Sequence, residues 1–240
     1  MESMERFVQK RLKNIIVCFF LVFFSCIFFP QTSFAHDVGD KIRIPLWAEL
    51  EAYPGTGKAV QFDDDLFAYP ISRLKEVAPF FIEGMVCGWS FSYTPSDKTR
   101  GVPEHFDFVP LYDFDSLPQK IVYKEPWIKD SRLYCWAEFT TSSQEAAWRK
   151  AWETSVYRRI SGKGKGLLSA GFDGIKEAAL NALKSAVREH ARMMTKNKPK
   201  EIIGEILITG EPLIGIRSGR YVVELDFFLN ISRIIEYNIY

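Results

Sequence analysis

Three histidines, four cysteines and a handful of short patterns are the residues from which chemistry could be built. His105 stands two positions from Asp107, with Glu104 beside it. On a strand these two positions share a face, where the carboxylate could hold the imidazole in one tautomer for general-base work. The pair supports a reading as an envelope hydrolase, with Cys87 as a further candidate group. A polar pair on a strand surface accounts for the same residues without chemistry. A nucleophilic thiol needs a base in reach and partial exposure. Cys87 and Cys135 instead fall on the apolar faces of expected strands. Export to an oxidising compartment predicts a Cys87–Cys135 disulfide, and two buried thiols acting as small hydrophobes are the alternative. His190 continues the apolar face of a helix and is expected to be packed. His36 falls at an expected new N-terminus, where amine and imidazole together can chelate copper.

Other patterns are incomplete. No HExxH, CxxC or paired-histidine spacing occurs, so the sequence predicts no zinc site and calls for no cofactor. Asp63-Asp64-Asp65 and Asp113-x-Asp115 offer hard oxygen ligands. Neither has the glycine and downstream glutamate of a calcium loop, so solvated acids are expected. Ser72-x-x-Lys75 has the SxxK spacing of penicillin-interacting serine enzymes, yet the chain lacks SDN and KTG. Gly55-Thr56-Gly57-Lys58 is no phosphate loop, because Ala52 and Ala59 replace the first Gly and the Ser/Thr.

The segment most suited to binding is Ser161-Gly162-Lys163-Gly164-Lys165-Gly166, just before an expected helix. Free N–H groups and the helix dipole favour an anion there, and Lys163 and Lys165 add charge. Lys184, Arg188 and Arg192 follow at helical spacing. Lys163, Lys165, Arg188 and Arg192 are therefore the candidate binding residues of one basic surface. A helix–helix linker and a solvated helix back are the plainer readings. The partners to expect are an anionic lipid, a glycan or an acidic envelope protein. Nucleic acid fits the charge but not the compartment. Tyr134 and Trp136 lie opposite the Cys135 face and suit stacking on sugars or on a partner protein.

The compartment comes from the first 35 residues. Arg6, Lys10, Arg11 and Lys13 precede an apolar run from Ile15 to Phe29, then Pro30 and Ser33-Phe34-Ala35. That order is a secretory signal peptide cleaved after Ala35. The run is short for a membrane span, which needs about 20 apolar residues, so a retained anchor is the minor alternative. Acylation at Cys26 is less favoured, since Leu is missing at −3 and the apolar run continues past the cysteine.

Residues 36–240 are expected to form a single α+β domain in three stretches. Residues 36–141 hold 11 basic against 17 acidic residues, 142–200 hold 13 against 5, and 201–240 hold 3 against 6. A formal net charge of +1 for the whole chain argues against a uniformly basic binder, but it conceals that basic island. The first stretch reads as β-rich, with strands at 41–51, 83–94, 104–109, 120–125 and 132–140 and a short helix at 71–77 between Pro70 and Pro79. The second reads as two amphipathic helices. One is opened by the Ser142-x-x-Glu145 capping box and runs to about Ile160, with Trp148, Trp152 and Val156 on its apolar face. The other spans 167–194. The third predicts strands at 202–209, 213–217 and 220–231, with a tight turn at Ser218-Gly219, one face buried under the long helix.

Together these features point to an exported, envelope-associated, non-enzymatic binding or assembly protein. The hydrolase built on His105 and Asp107, and a structural subunit joined through exposed aromatics, are the alternatives.

Overall fold

The computed structural model describes residues 40–51, 66–112, 114, 116–154 and 156–237. The expected leader, His36, Gly55–Lys58, Asp63–Asp65, Asp113 and Asp115 lie outside the described residues. The described chain runs β1(Lys41–Glu49), α1(Ala68–Val86), β2(Trp89–Thr94), β3(His105–Pro110), α2(Leu117–Lys120), β4(Val122–Lys129), β5(Arg132–Thr140), α3(Ser143–Trp152), β6(Arg158–Leu167), α4(Phe172–Met194), β7(Glu201–Arg217) and β8(Arg220–Ile235). A three-stranded sheet has the order β1-β5-β4 and a five-stranded sheet the order β3-β2-β7-β8-β6. Every pairing is antiparallel, and α4 lies on the larger sheet. The class is therefore α+β, with the C-terminal hairpin packed on the long helix.

The 36–141 stretch does not make a sheet of its own. Its strands β2 and β3 join the C-terminal strands, while β1, β4 and β5 form the smaller sheet. Between the sheets lies α1, which touches β1, β5 and β7. This helix corrects two expectations. It continues through Pro79 to Val86, taking in residues 83–86 of the expected strand. A proline inside a helix costs a backbone hydrogen bond. Here Val77, Ala78, Phe81, Ile82 and Val86 are all buried, and that apolar burial outweighs the loss. The stop is Gly88 instead, at φ 72°, whose N–H donates to the Glu83 carbonyl. Left-handed backbone is glycine's ordinary place at a helix end. Beyond it, Trp89, Phe91 and Tyr93 keep the expected buried alternation.

The Gly-Lys segment is also corrected. Residues 158–167 are not a helix–helix linker but the edge strand β6, paired with β8. Gly162, Gly164 and Gly166 stand opposite Leu225, Val223 and Tyr221, on the face that meets α4. A Cβ at Gly164 would come 2.1 Å from the Ala178 carbonyl oxygen, and one at Gly162 as near to that of Ala182. No side chain fits at that approach, so the glycines set the spacing between strand and helix. In return α4 covers the outer edge of β6. Asn181 donates to the Lys165 carbonyl at 2.9 Å, Glu177 accepts from the Leu167 N–H at 3.1 Å, and the Ser185 hydroxyl lies 3.3 Å from the Lys163 carbonyl. Exposed edge groups otherwise invite pairing with another chain.

The capping box forms as expected, with Ser142 and Glu145 bonded reciprocally. Its helix α3 ends at Trp152, short of Ile160, and Val156 is exposed. Of the expected apolar face only Trp152 is buried. Trp148 is half-buried and stacks on Tyr112 at 3.9 Å. The Ser218-Gly219 turn forms as expected, with φ values of 52° and 69°. Tyr221, Val223, Leu225, Phe227 and Leu229 fill the buried face of β8. Two polar contacts tie the sheets together: Trp47 Nε1 donates to the Ile214 carbonyl at 3.0 Å, and the buried Tyr221 hydroxyl donates to Glu49 at 3.1 Å.

Candidate functional site

The four candidate binding residues do not share one surface. The glycines of β6 face α4, so Lys163 and Lys165, which alternate with them, point to the other side of the sheet. There Lys163 pairs with Glu224, and Arg159 with Asp226. Lys165 is exposed. A cross-strand carboxylate thus neutralises Lys163, one of the two charges that the sequence assigned to this segment.

Arg188 and Arg192 lie elsewhere, at the end of α4. They line a pocket of about 340 Å³ together with Lys196 and Lys198 from the following loop, over a floor of Tyr93, Ala191 and Ile202. One carboxylate, Glu104, completes the lining. It accepts from the Tyr93 hydroxyl at 2.8 Å and pairs with Lys184 at 3.1 Å and Arg188 at 3.9 Å. Burial alone would raise the Glu104 carboxyl. The Tyr93 hydroxyl and the Lys184 ammonium outweigh it and hold the group below its usual range. Arg192 also reaches the exposed Glu189 at 2.7 Å, and Lys198 donates to the Ser96 carbonyl at 2.6 Å. Four cations around one anchored carboxylate leave positive charge facing the pocket. Lys196 continues the four-residue spacing of Lys184, Arg188 and Arg192 but lies past the helix end at Met194, and Lys198 falls off that spacing, so the helical pattern did not single them out.

His105 and Asp107 do come together, with Nε2 2.6 Å from Oδ2. Their side chains are 64% and 69% exposed on an edge strand, and His105, without Asp107, borders an open hollow of about 320 Å³ with Lys176 and Lys184 of α4. A solvated pair of this kind lacks the water-excluding concavity that general-base chemistry gains from. Cys87 and Cys135 are both free and buried, so the structure has two separate thiols where a disulfide was expected. Burial pushes the Cys87 thiol up to about 12 and that of Cys135 to about 11. Thiols so raised stay protonated and inert at neutral pH. Ser72 and Lys75 are both exposed on α1. His190 is buried, and burial together with Arg158 lowers its pKa. Among the described residues no group of His, Cys, Asp and Glu is placed to hold a metal. No helix among them is long and apolar enough to cross a membrane.

The expected Tyr134–Trp136 pair stands on the outer face of the small sheet, half-buried. Trp127 stacks on Tyr134 at 5.2 Å, and the Arg43 guanidinium sits 4.3 Å over Trp136. Arg43, Lys41 and Lys124 all pair with Glu138. The hydrogen bonds from Lys41 and Lys124 hold that carboxyl down at about 2.

A protein family of unknown function matches residues 31–237 of the chain. The chain is 30% identical over 199 residues to an "Uncharacterized protein" of Treponema pallidum (strain Nichols), covering 83% of each. No solved structure matches it.

Proposed function

This chain belongs to the family matched over residues 31–237, and from that premise we propose that it is an exported, envelope-associated, non-enzymatic binding protein whose pocket at the end of α4 takes an anionic partner. The observation that carries this reading is the convergence of Arg188, Arg192, Lys196 and Lys198 on one pocket. Guanidinium forks match phosphate and carboxylate oxygens bidentately, and lysines supply adaptable point charges. Export rests on the signal-like order of the first 35 residues, and it places the pocket where anionic lipids and phosphate-bearing polymers are present. The reading needs no catalytic group, which agrees with raised thiols and a solvated His105–Asp107 pair.

The test is co-sedimentation with vesicles of phosphatidylglycerol and of phosphatidylcholine across a salt series. Binding to the anionic vesicles that weakens steeply between 50 mM and 500 mM salt supports the reading, because exposed charges are screened. Equal affinity for both vesicles, or no dependence on salt, contradicts it. Cleavage after Ala35 is checked by the N-terminal sequence of the protein recovered from cells.

A further inference from the structure

A cavity of about 690 Å³ lies between the first turns of α1 and the inner face of the small sheet. It shares no residue with the basic pocket. Phe67, Ile71 and Leu74 line one wall, and Tyr123, Ile128 and Leu133 the other. The cleft opens where the packing of α1 changes. From Val77 onward the inward residues of the helix are fully covered. Ile71 in the second turn is 40% exposed, and Ile128 across the gap is 55% exposed. A bulge in β4 shapes the far wall: the register with β5 shifts between Lys124 and Trp127, where Glu125 has φ 50° and Pro126 follows. Bulges bend and re-aim a strand.

The charges at the cleft are of one sign. Lys75 and Lys124 line it, and among the described residues no carboxylate does. The Lys124 ammonium is held by Glu138 at 2.9 Å, which leaves Lys75 at the lip, among the described residues, as the cation available to a ligand. An apolar slot of this size with a single cation at its mouth is complementary to a long hydrocarbon chain ending in one negative charge.

We infer that this cleft binds a long-chain fatty-acid carboxylate, the chain lying between Ile71 and Ile128 and the head paired with Lys75. The inference is independent of the proposed function, because it uses different residues and a different source of affinity.

Isothermal titration of the protein with palmitate tests it, using I71E, I128E and K75E. The first two positions are partly exposed, so these variants keep the fold, and unchanged circular dichroism verifies that. Saturable binding of one palmitate per chain is expected. I71E and I128E should each weaken it by about tenfold, the effect of replacing one apolar contact by a charge. K75E should weaken palmitate while leaving hexadecanol unchanged, which separates a head contact from a general loss of packing. Absence of saturable binding overturns the inference, as does palmitate binding that I71E and I128E leave intact. A dimer dissolved by I128E, without palmitate uptake, assigns the cleft to a second copy and overturns it too.

Discussion

Burial decides what the titratable residues can do. Cys87 and Cys135 are buried as their apolar strand faces led one to expect, and burial holds both thiols protonated. The native chain should therefore resist iodoacetamide at pH 8 and take up label at both positions once denatured, with or without reductant. Labelling that requires reductant would restore the disulfide. His190 provides a pH signature. Its pKa is lowered from 6.5, by burial first and then by Arg158. The unfolded chain takes up a proton near 6.5 that the folded chain excludes. Stability is thus intact above that pH and falls as pH drops through 6.5 toward the folded value. Denaturant midpoints measured between pH 7.5 and 5.5 should decline, and His190→Leu should flatten the decline. Glu138 acts at a lower pH. Its carboxyl, held down at about 2 by Lys41 and Lys124, gives stability that is present above its unfolded value of 4.5 and lost as pH falls toward 2.

The β6–α4 contact is where strand and helix depend most closely on each other. The alternating glycines let the helix backbone approach, while Glu177, Asn181 and Ser185 satisfy the strand's outer edge. Gly164→Val should destabilise by about 1–3 kcal/mol or more, the usual range for overpacking, since the added Cβ has no space. Lys165→Ala, one position away and exposed, should fall within about 0.5 kcal/mol of the parent, as surface changes do. Equal effects on thermal unfolding would contradict the geometry. This contact also shows what a sequence can reveal. The apolar period of the long helix, the capping box at Ser142 and the alternation on β8 are local signals, and each formed as expected. The Gly-Lys run has no apolar residues to alternate, so it read as a linker. Its strand character comes from pairing with β8, some sixty residues away. The first part of the expected strand at 83–94 failed for the opposite reason: Met85 and Cys87 fit a period of two, but burial of α1 between the sheets extended the helix to Val86, and only residues 89–94 form the strand.

At the scale of the whole molecule, charge is distributed differently from the linear island at 142–200. The sheet divides it. Lys163 is neutralised by Glu224 on one side, while Arg188 and Arg192 gather Lys196 and Lys198 on the other. The island was legible from charge counted stretch by stretch along the chain and the pocket was not, because Tyr93 and Glu104 reach it from β2 and the loop before β3. The most direct test of the proposed function compares two double variants in binding to phosphatidylglycerol vesicles at low salt. R188Q/R192Q should reduce binding by about tenfold or more, with two charged contacts removed. K163Q/K165Q should leave it within about twofold, since these lysines face the other side of the sheet and Lys163 is already paired. Loss of binding in K163Q/K165Q with none in R188Q/R192Q would contradict the account.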